Sequence, residues 1–135
     1  MTIERISYQP DASGRTPPYS KLVRAPGGLV FVAGQVGMGA DGEVVPGGIV
    51  PETHQMFANL NAVLAEAGLG LEDVVKATVW LTNPFDVTTF NEIYRSYFGE
   101  TLPTRACVQS GLMGRFNVEI EVVAAERSSE PVRAS

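Results

Sequence analysis

Residues 74–109 read VVKATVWLTNPFDVTTFNEIYRSYFGETLPTRACVQ, and they set two strand-like runs around a helix-like one. Val74 to Leu81 is dense in β-branched and aromatic residues, the composition of a strand. Thr82-Asn83-Pro84 ends it, because proline offers no ladder N–H and restricts the residue before it. Phe90, Ile93, Tyr94, Tyr97 and Phe98 then recur at steps of three and four, which predicts a helix with one apolar face. Beyond Pro103, Thr104 to Gln109 reads as a second short strand. A helix between two strands of one sheet implies a right-handed crossover and parallel pairing.

Upstream, Met56, Phe57, Leu60, Val63, Leu64 and Ala67 fall at helical spacing, and Gly68 is placed to end the run, so residues 51–67 are predicted as an amphipathic helix. Before it, residues 37–48 are rich in glycine and form a loop. Residues 22–25 and 29–36 flank Pro26-Gly27-Gly28, the punctuation of an antiparallel hairpin. Residues 3–8 alternate like an edge strand, while Pro10, Gly14, Pro17 and Pro18 turn residues 9–20 into an ordered loop ending at Tyr19. Residues 118–123 supply the last strand. The expected fold is α/β (α+β): a mixed sheet of about six strands with both helices on one face. The other face needs a cover, and no sequence is left within the chain to supply it. A second copy is the expected cover, so the chain is read as an oligomer.

The 135 residues suffice for one domain, placed at residues 1–127, with the polar tail 128–135 expected to fray. A formal net charge of -5, with basic residues scattered singly, disfavours nucleic acid. One cysteine and one histidine exclude a disulfide framework and a Cys/His metal site. The N-terminus has no basic segment leading into an apolar one, and the longest apolar run, Leu29-Val30-Phe31-Val32-Ala33, is too short for a membrane span. The expectation is a cytoplasmic protein with neither metal nor cofactor. Gly37-Met38-Gly39-Ala40-Asp41-Gly42 matches a dinucleotide-binding pattern, but Pro46-Gly47-Gly48 prevents the helix it requires, so it reads as a surface turn. His54 reads as a surface or interface residue, and Trp80, Phe31 and Phe57 as core.

The two final strands carry the chemistry. Alternation puts Arg105, Cys107 and Gln109 on one side and Thr104, Ala106 and Val108 on the other, and it separates Glu119 and Glu121 from Val118, Ile120 and Val122. Each strand is expected to turn its apolar side to the helices and its charged side away from them. Two readings stand: a salt bridge or plain solvent exposure, and a site. In the second, the guanidinium fork holds a small carboxylate by two hydrogen bonds while a nearby carboxylate activates water. That combination suits hydrolysis of a small carboxylic acid.

These residues resemble the RidA (YjgF) family of reactive-intermediate deaminases. The resemblance runs from about Pro17 to Glu126, and its most specific part is Pro103-Thr104-Arg105-Ala106-Cys107-Val108 followed by Val118-Glu119-Ile120-Glu121. Pro18-Tyr19-Ser20, Ala33-Gly34-Gln35, Ala67-Gly68-Leu69, Val74-Val75-Lys76-Ala77-Thr78-Val79 and Phe90-Asn91-Glu92-Ile93-Tyr94 match as well. It implies a chorismate-mutase-like fold in a homotrimer with a cleft at each subunit interface. It also implies hydrolysis of 2-imino acids, or enamines such as 2-aminoacrylate, to 2-keto acids and ammonia, without a cofactor. Carried across, Arg105 clamps the substrate carboxylate and Glu119 positions or activates water. Cys107 lines the imine end through its backbone, Tyr19 closes over the substrate, and Gly34 and Asn91 stand in the pocket wall. Cys107 has no His or Lys near it in sequence to activate a thiol, so nucleophilic catalysis is its weaker role. Residues 110–117 are one shorter than the usual loop and lack its proline, and Ala33 replaces a common serine, which leaves substrate range open. The family also has branches with other substrates or no demonstrated catalysis. The alternatives are therefore a trimeric non-catalytic binder of a keto or imino acid, or a deaminase of a divergent substrate. The endoribonuclease label of some relatives sits poorly with the acidic charge balance.

Overall fold

The computed structural model describes residues 2–127, so the tail expected to fray lies outside the described residues. In chain order the elements are β1 (Glu4–Ile6), β2 (Leu22–Arg24), β3 (Leu29–Val36), α1 (Ile49–Glu66), β4 (Val74–Leu81), α2 (Val87–Phe98), β5 (Thr104–Gln109) and β6 (Val118–Ala125). The strands form one sheet of order β1-β2-β3-β6-β4-β5. β4 and β5 pair parallel, as the helix between them requires, and every other pairing is antiparallel. β6 inserts between β3 and β4, so the two strands joined through α1 are parallel but not neighbours.

The ends of elements have local causes. β1 is shorter than the alternation predicts because its only partner, β2, is itself three residues long. α1 begins two residues before Pro51, which then sits in the first turn, where its missing N–H costs no intrahelical bond. The helix closes where Gly68 takes φ +73°, with the Gly68 N–H donating to Ala65 O and the Leu69 N–H to Leu64 O. Between the hairpin strands, Gly27 and Gly28 both take φ above +90°, and the Gly28 N–H donates to Ala25 O. Residues 37–42 form a turn with the Gly39 N–H on Glu43 O, and no helix opens there.

One face of the sheet is sealed by the helices. Val30, Val32, Ala77, Val79, Leu81, Val118, Ile120 and Val122 all point there and are buried with Phe57, Leu60, Leu64 and Phe90. Burial of this apolar set is the main stabilising term of the fold. The residues that alternate with them, including Phe31, Lys76, Trp80, Glu119 and Glu121, are exposed or half-buried. Phe57 is a core residue as expected, whereas Phe31 and Trp80 belong to the open face. Residue type alone placed those two aromatics inside; strand register places them outside.

Candidate active site

Registered partners in a sheet point to the same side, and this settles where Arg105 goes. Arg105 stands opposite Ala77 and Cys107 opposite Val79, both of which are buried under the helices. The Arg105 guanidinium accordingly donates to Asn91 Oδ1 on α2 at 2.9 Å and lies 4.8 Å from the Tyr94 ring centre and 5.9 Å from that of Phe90. This corrects the expected orientation of β5: Arg105 and Cys107 share the helix side, and Ala106 and Val108 face outward. β5 is an edge strand with all six residues exposed, so the apolar content of its sides does not report which one meets the helices.

Glu119 and Glu121 lie on the open face, opposite Trp80 and Thr78. Arg105 and Glu119 therefore leave the sheet in opposite directions, and one copy does not bring them together. Glu119 instead packs on Gly34, where a built Cβ would overlap its Oε2 and stand 3.0 Å from its Cδ. Burial, with Glu121 adding to it, raises the Glu119 carboxyl above the usual carboxylate range. Its carboxylate borders a cavity of about 360 Å3 walled by Trp80 and residues 110–113. Tyr19 is 59 % exposed, with its ring edge-on to Tyr8, and it shares a cavity of about 440 Å3 with Gly34, Lys21 and Gln35. Of the residues singled out, Asn91, Arg105 and Cys107 gather on one side, Glu119 and Gly34 touch, and Tyr19 lines one cavity with Gly34. His54 is exposed and bonds Tyr97 Oη through Nδ1 at 2.7 Å, away from both groups.

Two residues of the site were not singled out from the sequence. Tyr94 supplies the ring beneath Arg105, and its hydroxyl is buried with no hydrogen-bond partner among the described residues. Burial pushes that hydroxyl above the usual tyrosine range, with Arg105 pulling it back and Cys107 adding to the rise. As one of five helix-spaced aromatic and aliphatic residues it reads as core. Glu52 is the second, a carboxylate only 1 % exposed in the first turn of α1. It accepts from the Asn117 backbone N–H at 2.5 Å and from Asn117 Nδ2 at 2.9 Å, and so anchors the end of loop 110–117 two residues before Glu119. An acidic residue in a first turn is ordinary dipole matching, so its burial left no mark in the sequence.

A further cavity, about 500 Å3, lies by Arg24, Asp73 and Arg127, but those arginines are already engaged by Glu126 and Asp73. The chemistry-bearing groups are elsewhere. The model of the endoribonuclease L-PSP family, which takes in the RidA (YjgF) proteins, matches residues 9–126. The chain belongs to the RidA family. Among RidA relatives, the chain is 38 % identical to the mouse 2-iminobutanoate/2-iminopropanoate deaminase, over 92 % of this chain and 93 % of that protein. It is 37 % identical to a RutC family protein of Pyrococcus horikoshii, over 90 % of this chain and 98 % of that one. RidA from an Antarctic Psychrobacter bacterium superimposes with a TM-score of 0.80 at 32 % identity, covering 91 % of this chain and 99 % of that chain. The six-stranded sheet with two helices is thus a RidA-family architecture. No helix among the described residues is long and apolar enough to cross a membrane.

Proposed function

We propose that this chain hydrolyses small 2-imino acids and their enamine tautomers to 2-keto acids and ammonia, at a site completed between neighbouring copies of a homotrimer. The observation that carries this reading is the division of labour across the sheet. Arg105, positioned by Asn91, offers a guanidinium with donors left for a carboxylate. Glu119, seated on Gly34, offers a carboxyl whose proton affinity burial raises above that of a free carboxylate, the direction that favours a base. Because the two face opposite ways, a second copy must bring its Glu119 to this copy's Arg105. The open sheet face of one copy then meets the exposed β5 edge of the next, where Arg105 stands.

The chemistry then follows from those two groups. Arg105 holds the substrate carboxylate by its fork. Water bonds through oxygen to the imine carbon, the C=N π pair moves onto nitrogen, and the proton given up to Glu119 is delivered to that nitrogen, forming a carbinolamine. A second proton passes from the carbinolamine hydroxyl to nitrogen, and ammonia leaves with the C–N bonding pair. Cys107 is assigned to the imine end of the cleft through its backbone, and Tyr19 to closing over the substrate. The names carried by mammalian relatives support the same reaction.

The test couples the purified protein to a threonine dehydratase and follows keto-acid release. The expected result is release faster than spontaneous hydrolysis, lost in Arg105→Ala. No acceleration by the wild type, or full activity in that variant, would defeat the proposal.

A further inference from the structure

The Arg105 site contains a second guanidinium. A cavity of about 250 Å3 is lined by Asn91, Tyr94, Arg95, Leu102, Pro103 and Arg105. Asn91 and Arg95 are four residues apart on α2 and so share the helix face that meets Arg105. Arg95, like Arg5, Arg15 and Arg115, makes no ion pair or side-chain hydrogen bond among the described residues, but of these it is the one that borders the Arg105 cavity. The two guanidinium groups bordering this small cavity face no carboxylate among its lining residues, so the cavity is a positive spot in an acidic chain. Tyr94 lines the same cavity, and its ring carries the Arg105 guanidinium 4.8 Å from its centre. Leu102 and Pro103 give the wall an apolar stretch suited to methylene groups.

Building on the deaminase reading, we propose that Arg95 is a second anion-binding residue of the Arg105 site and selects substrates with a second carboxylate, the imines of acidic amino acids. Arg105 takes the carboxylate next to the imine, and Arg95 takes the one at the far end of the chain. The rest of the substrate lies along Leu102 and Pro103.

Binding of the product keto acids tests this without requiring turnover. Calorimetry on the wild type compares oxaloacetate and 2-oxoglutarate with pyruvate and 2-oxobutanoate, and is repeated on Arg95→Gln and Arg95→Lys. The dicarboxylates are expected to bind at least tenfold more tightly than the monocarboxylates, with the preference collapsing in Arg95→Gln and largely kept in Arg95→Lys. The ratio of kcat/KM for imines generated from glutamate and from alanine by an amino-acid oxidase is expected to move in parallel. Equal affinities in the wild type, or an undiminished preference in Arg95→Gln, overturns the proposal. So does a shift in subunit dissociation with specificity intact, which would give Arg95 a neighbour's carboxylate as partner. A dicarboxylate preference that vanishes in Arg95→Gln, alongside absent imine turnover, upholds Arg95 and defeats the deaminase reading instead. Turnover of all imines at Arg95-independent ratios does the reverse.

Discussion

Gly34 matters through the atom it lacks. Its φ is ordinary, so alanine fits the backbone, but the added methyl would occupy the space of Glu119 Oε2. The end of a glutamate side chain moves cheaply, so Gly34→Ala is expected to leave Tm within a degree or two while lowering kcat at least tenfold, as paired melting and kinetic measurements will register. The Glu119 carboxyl gives a second handle. Its folded-state pKa lies above the unfolded value, so the stability this group contributes declines as pH rises through that range, while a base becomes competent over the same interval. A profile of kcat/KM against pH should therefore rise through a step above the usual carboxylate range. Glu119→Gln should abolish the step with the activity, and Glu121→Gln, which removes a like charge, should move it to lower pH. At this scale the two groups of the proposed site, Arg105 and Glu119, were legible in the sequence through alternation and a family motif. The sequence did not disclose Tyr94 or Glu52, whose roles arise from burial against segments distant in the chain.

The elements are held in place by α1. Its stripe of Met56, Phe57, Leu60, Val63 and Leu64 covers β3 and β6, and the Phe57 ring stacks on Tyr97 of α2 at 4.3 Å between centres. Helical periodicity made both helices legible, β-branched content made β4 legible, and the Pro26-Gly27-Gly28 turn and the alternation of residues 118–122 made β3 and β6 legible. The orientation of β5 was not, because an edge strand half-covered by a helix has two similar sides and only its register with Ala77 and Val79 distinguishes them. The same helix reaches the end of loop 110–117 through Glu52. Glu52→Ala strands the Asn117 backbone N–H and opens a void, so chemical denaturation should find a loss of about 3 kcal/mol. Glu52→Gln, which retains one acceptor for the backbone N–H, should lose less than half of that.

For the whole molecule, the open face of the sheet presents Phe31, Val108 and Trp80 beside Glu119 and Glu121, an apolar and acidic surface that one copy leaves to solvent. Chain length and the deficit of covering elements anticipated such a face, and alternation placed Glu119 and Glu121 on it; Phe31, Trp80 and Val108 emerged only from the register. If the proposed trimer forms through it, sedimentation will find a trimer at micromolar concentration. A mixture of refolded Arg105→Ala and Glu119→Gln chains will then recover activity that neither has alone, since each supplies the half the other lost. A pair of half-sites that never recover on mixing would place the reaction within one copy. With the proposed site shared between copies, the divergence of Arg105 and Glu119 would also make activity depend on the protein's own abundance. On that proposal a lone chain would carry both groups and could use neither with the other, so turnover per chain should collapse on dilution below the assembly constant, and newly made chains would stay idle until they find partners.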